Sequence, residues 1–166
     1  MFKVKEIALV ITLFIWATLI GAVTYSHVVF FSTYLHHLPE STSLISGPYG
    51  LHEERFWMAI HPILLLSLLI TLILNWKLSL RRKYILINLS IYLLTLAVTF
   101  SFFVPELKAF AQSKLSGIPA NEWLVRGKRW ELLSWIRGFF MYLAFLMLLI
   151  ALLKNRTQIR SSQNMS

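Results

Sequence analysis

The sequence predicts an all-α fold, an antiparallel four-helix transmembrane bundle with both termini cytoplasmic. Hydrophobic residues make up 57% of the 166 residues and charged residues only 14%, a balance that soluble domains of this size rarely show. Four apolar runs each approach the ~20 residues that a helix needs to cross a bilayer. Lys and Arg collect at alternate ends of these runs, as the positive-inside rule requires.

The first two apolar runs are separated by a turn-rich segment. The first run is Ile7–Phe31. It exceeds the ~7–15 apolar residues of a signal peptide, so we expect a retained helix. The second run is Phe56–Trp76. Between them, Leu38–Leu51 is rich in Pro, Gly, Ser and Thr, which favours a loop.

The last two runs, Tyr84–Val104 and Leu132–Leu153, are joined by a longer segment. Its spacing predicts a helix over Pro105–Leu115, a break at Ser116–Pro119, and a helical lead-in over Ala120–Arg129. Three tryptophans near this end fit an interfacial aromatic belt: Trp123, Trp130 and Trp135.

Basic residues form three clusters, at the start of the chain, between the second and third runs, and after the fourth. They are Lys3 and Lys5, then Lys77, Arg81, Arg82 and Lys83, then Lys154, Arg156 and Arg160. This pattern explains the net charge of +9 by topology and by contact with anionic lipid, so we expect no nucleic-acid partner.

The domain organisation follows from these runs. We expect one four-helix transmembrane domain, residues 1–155, and a polar C-terminal tail, residues 156–166. The protein is then a multi-pass protein of the bacterial inner (plasma) membrane. Its expected partners are membrane lipids and a lipophilic small molecule, with membrane partner subunits left open.

Arg137 is the only charged residue in the fourth run. An arginine near the bilayer centre costs at least ~2.5 kcal/mol on insertion scales, so it is usually paired and often functional. His27 and His61 lie at equal distances before and after Leu44, the midpoint of the first loop. We therefore expect these three residues at one depth, lining a cavity that opens outward, with Arg137 bonded to His27, His61 or Glu106.

Six further residues are predicted to line the substrate path, mostly because they share helix faces with this layer. They are Tyr34, Glu54, Trp57, Glu106, Trp130 and Ser134. Two plainer interpretations stay open. In the first, each histidine only bonds to a neighbouring helix. In the second, the Arg137 side chain snorkels to the membrane interface.

The second half of the chain resembles the DUF1772 or anthrone oxygenase-like family of small four-span membrane proteins. The matching positions are Val98-Thr99, Val104-Pro105, Trp123, Arg129-Trp130 and Arg137. Phe103 and Ser134 stand where that family has Asn. The resemblance implies a cofactor-independent oxygenase that turns an anthrone into an anthraquinone.

Three functions compete at this point. The first is an oxidoreductase acting on a lipophilic phenolic or quinone-like molecule, with His61 as base, His27 as its partner and Arg137 as the oxyanion-binding group. It needs no cofactor if the resemblance holds. The second is a membrane protein that binds haem b or a metal ion through His27 and His61. The third is a non-catalytic assembly or lipid-binding subunit.

Overall fold

Four long helices make up the described part of the chain. The computed structural model describes residues 4–46 and 48–163, and side chains as far as Lys154. The helices are α1 (Val4–His37), α2 (Glu53–Leu74), α3 (Ser79–Ala111) and α4 (Ala120–Gln163). Each is long and apolar enough to cross a membrane, as predicted for an all-helical, multi-pass membrane protein. Lys3 and residues 164–166 of the predicted tail lie outside the described residues.

In the second half of the chain the helices extend beyond the apolar runs. The helix predicted at Pro105–Leu115 is continuous with α3 as far as Ala111, and a 3₁₀ turn follows at Ser113–Leu115. The predicted lead-in is the first part of α4. We call the part of the molecule around the two long connections the loop end. The part around the short turn from α2 to α3 is the turn end.

The helices pack in the order α2, α1, α4, α3. The most extensive packing joins α3 to α4, followed by α1 to α2 and α1 to α4, whereas α2 and α3 pack less extensively. Large apolar side chains on every helix also face outward and are exposed: Phe14, Leu66, Leu94 and Phe139 are examples. Such a surface is stable in lipid, where it loses nothing by remaining exposed.

The loop end has an aromatic core that was not predicted from the sequence. Its buried members include Phe30, Phe31, Phe103, Trp123 and Trp130. Because Trp123 and Trp130 are only 2% and 1% exposed, their assignment to an interfacial belt is wrong. The start of α4 packs onto α1 and α3, which removes both indoles from the surface. Trp135 does remain exposed.

Gly127 permits this close packing. A Cβ atom built there would lie 2.8 Å from the Leu35 carbonyl oxygen at the end of α1. Any side chain would therefore push α4 away from α1.

The turn end is held by a buried polar network centred on Arg81. This residue is 2% exposed, although it belongs to a basic cluster predicted to join two helices. Its guanidinium lies 3.6 Å from Glu6 Oε1 on α1. It donates to Asn75 Oδ1, after α2, at 3.1 Å and to the Ala151 carbonyl of α4 at 3.2 Å. One side chain of α3 thereby connects the ends of all four helices.

Candidate functional site

Arg137 points into the bundle from α4 and is held by hydroxyl groups. Its Nη1 donates to Thr99 Oγ1 on α3 at 2.9 Å, and its Nη2 donates to Ser134 Oγ at 2.9 Å. Its Nε is buried and has no hydrogen-bond partner. Within the described residues no carboxylate forms an ion pair with Arg137. The site thus presents a positive charge that the surrounding side chains solvate but do not neutralise.

The Val23 carbonyl fixes the direction of the hydrogen bonds at His27. A carbonyl can only accept, so His27 Nδ1 carries a proton and donates to Val23 at 2.7 Å. In a neutral imidazole Nε2 is then an acceptor, and Ser134 Oγ donates to it at 2.7 Å. This arrangement describes a neutral His27. Thr99 accepts from Arg137 and donates to the Thr95 carbonyl at 2.7 Å.

Aromatic rings enclose this cluster. The Arg137 guanidinium carbon lies 4.1 Å from the Phe103 ring centroid, a cation–π geometry. The His27 ring stacks on Trp130 with centroids 6.2 Å apart and contacts Trp135 at 4.8 Å. The Trp130 indole donates to the Phe103 carbonyl at 3.2 Å. Rings on both sides leave the polar groups few ways to reorient.

Both helices that face Arg137 change to π-helical geometry at this level. In α1 the π-helical stretch is Ser26–Phe31, and in α3 it is Thr99–Phe103. His27 lies in the first stretch, and Thr99 and Phe103 delimit the second. A π-helical turn rotates side chains away from the faces that a 3.6-residue period assigns, and such turns are frequent at functional sites. From these two stretches His27 contacts Ser134 and Thr99 contacts Arg137, both on α4.

His61 lies on α2 in a second polar pair. Its Nδ1 is 2.9 Å from the hydroxyl of Tyr92 on α3, and that hydroxyl also lies 3.3 Å from the His61 carbonyl. If the tyrosine proton points to the carbonyl, Nδ1–H donates to the tyrosine oxygen and Nε2 is left unprotonated. Within the described residues Nε2 makes no hydrogen bond. Trp57 stacks on the ring at 6.2 Å.

The structure therefore brings together some predicted site residues. His27, Trp130, Ser134 and Arg137 form one cluster. His61 lies outside this cluster and is paired with Tyr92. The prediction that Arg137 contacts a polar group of another helix is confirmed, but the partner is Thr99.

Other predicted site residues lie elsewhere. Glu106 does not bind Arg137, because both of its carboxylate oxygens bind Arg126, the shortest contact being 2.8 Å. Glu54 is exposed and contacts His52 at 3.0 Å. Tyr34 is 1% exposed inside the aromatic core. The predicted outward path past Tyr34 and Glu54 is therefore corrected: one side chain is packed away and the other is at the surface.

Tyr92, Thr99 and Phe103 are site residues that the sequence reading missed. Tyr92 and Thr99 are seven residues apart on α3 and share a helix face. A search for polar residues at that spacing would have found them. Phe103 has no comparable signal, because its position depends on the π-helical stretch.

The residues present do not fit an axial haem site well. Both ring nitrogens of His27 are already bonded, to Val23 and Ser134, and His27 is packed among aromatic rings. No group of three or more His, Asp or Glu side chains suited to a metal ion occurs in the part of the chain that the structure describes.

Comparisons with family models, with curated proteins and with solved structures find no match to this chain.

Proposed function

We propose that this protein is an integral membrane oxidoreductase that binds a lipophilic phenolic or quinone-like molecule beside Arg137 and oxidises it with O₂. The observation that supports the proposal is the guanidinium without a carboxylate partner. A buried positive charge is costly unless it is paired. The phenolate oxygen of a substrate supplies the missing negative charge, and the surrounding rings suit its apolar skeleton.

His61 is the base in this proposal. Its Nε2 takes a proton from the ring methylene of an anthrone, leaving an anion whose negative charge rests largely on the substrate oxygen beside Arg137. O₂ adds to the ring carbon, and the peroxide takes the proton back from His61. Loss of water then leaves the second carbonyl. The balance is anthrone plus O₂ giving anthraquinone plus water, so no other reductant is needed.

His27 orients rather than abstracts a proton. Its Nε2 accepts from Ser134, which in turn accepts from Arg137. The chain Val23, His27, Ser134 holds the guanidinium in one position before substrate arrives. Pre-positioned donors are the form of electrostatic stabilisation that contributes most to catalysis.

Oxygen uptake with a dihydroxyanthrone tests the activity, measured against protein-free solution. His61→Gln should lower the protein-dependent rate at least ~100-fold, the usual contribution of a general base. His37→Gln, at an exposed histidine, should leave it unchanged. Tight binding without turnover in the unmodified protein would instead favour the non-catalytic binding function.

An antiparallel arrangement with both termini in the cytoplasm belongs to the same proposal. It is supported by contacts in opposite chain order: Thr12 of α1 contacts Thr71 of α2 at 2.8 Å, whereas Ser26 donates to Glu53 at 3.1 Å. The basic clusters of the sequence give the orientation in a plasma membrane.

Cysteine labelling tests this topology in a chain that contains no cysteine. A membrane-impermeant reagent added outside the cell should label Ser43→Cys, in the first long connection, and should not label Ser79→Cys, at the start of α3. Both serines are exposed in the structure, so burial does not bias the result. Labelling of Ser79→Cys alone would reverse the orientation.

A further inference from the structure

A shallow, open groove follows one face of α3 near the turn end, away from the Arg137 cluster, and all of its lining residues belong to that helix. One end is polar and basic and is lined by Ser79, Arg82 and Lys83. The other is apolar and is lined chiefly by Leu86, Ile87 and Ile91. The thirteen residues from Ser79 to Ile91 span about 18 Å along the helix, roughly half the thickness of a bilayer.

We infer that this groove is a binding site for an anionic phospholipid. The phosphate lies against Ser79, Arg82 and Lys83, and one acyl chain follows Leu86, Ile87 and Ile91 into the bilayer. The order of the lining residues along the helix matches the order of a phospholipid, with charge at the membrane surface and hydrocarbon toward its centre.

The basic end of the groove carries two positive charges that are available to bind an anion. Neither Arg82 nor Lys83 forms an ion pair with any carboxylate of the described residues. The adjacent Arg81 differs, since it lies inside the bundle against Glu6. Two positive charges at the membrane surface without acidic partners are complementary to a lipid phosphate.

Arg82 is also positioned in advance. Its guanidinium carbon lies 5.1 Å from the ring centroid of Trp76, and its Nη1 donates to the Trp76 carbonyl at 3.3 Å. Trp76 is exposed, as expected for an indole at a membrane interface. A side chain already held in place loses less conformational freedom when it binds a phosphate.

Native mass spectrometry of the full chain in detergent tests the site. Phosphatidylglycerol and phosphatidylcholine with identical acyl chains are titrated separately. We expect the unmodified protein to bind phosphatidylglycerol more tightly. The double variant Arg82→Gln, Lys83→Gln should bind it about thirtyfold more weakly, since each basic residue contributes about 1 kcal/mol.

The matched control is Lys128→Gln with Arg129→Gln, an adjacent and exposed basic pair near the loop end, which should change nothing. Leu86→Trp fills the apolar half without removing charge and should also weaken binding. Equal affinity for the two lipids would overturn the inference, as would equal losses in the variant and its control. So would displacement of the lipid by equimolar inorganic phosphate, or a dimer that only the groove variants dissociate.

Discussion

Arg81 and Arg137 both extend into the bundle, but their surroundings differ. Arg81 meets the carboxylate of Glu6 and the amide of Asn75, and its contacts reach every helix. Among the described residues, Arg137 meets the hydroxyl groups of Thr99 and Ser134 and an aromatic face, and no carboxylate. An arginine that is paired with a carboxylate of the same protein stabilises the fold. An arginine without one is available to bind an anion from outside.

The comparison predicts its largest effect at Arg81. Arg81→Leu removes the cation from Glu6 and a donor from Asn75, and breaking a buried pair of this kind typically costs about 3–5 kcal/mol. The free energy of unfolding in detergent should fall by that amount. Arg82→Leu, at the next residue, should cost far less because its guanidinium is outside the bundle.

Adding Glu6→Leu to Arg81→Leu sharpens this test. If the ion pair is the source of the loss, the double variant should recover a substantial part of it, because the carboxylate is then removed together with its Arg81 partner. A loss from Arg81→Leu no greater than that from Arg82→Leu would remove the structural role assigned to Arg81.

A smaller effect is expected at Ser134. Ser134→Ala leaves one Arg137 donor and His27 Nε2 without a partner, so the free energy of unfolding should fall by about 1–3 kcal/mol. Affinity for a phenolic ligand should fall as well, because the guanidinium is less firmly oriented. Ser101→Ala, an exposed serine of α3, is the control and should change neither. If Ser134→Ala binds the ligand as tightly as the unmodified protein, Ser134 has no role in the binding site.

Hydropathy was sufficient to predict the four helices, because each carries an apolar run of membrane length. It also singled out Arg137, the lone charge in its run. It could not distinguish Arg81 from its neighbours Arg82 and Lys83. The hydropathy of a basic cluster is the same whether one of its side chains is buried or all of them are solvated. Burial depends on which helix face meets α1 and α4, and that is a tertiary property.

The composition of the site was harder to predict for two reasons. Thr99 supports Arg137 through a hydroxyl group, which has little weight in a hydropathy profile. The π-helical stretches at Ser26–Phe31 and Thr99–Phe103 also shift side chains from the faces that a regular helix would give them. The sequence therefore predicted His27 and the α4 residues of the cluster. It did not predict Thr99 or Phe103, and it wrongly offered Glu106 as a partner of Arg137.

The most direct test of the account is the absorption spectrum of a bound dihydroxyanthraquinone, a product analogue that changes colour when its phenol ionises. The unmodified protein should bind it and shift the spectrum toward the phenolate. Arg137→Gln should abolish the shift and weaken binding about ten- to hundredfold, the range for hydrogen bonds to a charged group. Arg126→Gln, at the arginine paired with Glu106, should do neither. An unchanged spectrum and affinity in Arg137→Gln would contradict the claim that this arginine binds the anionic oxygen of a ligand.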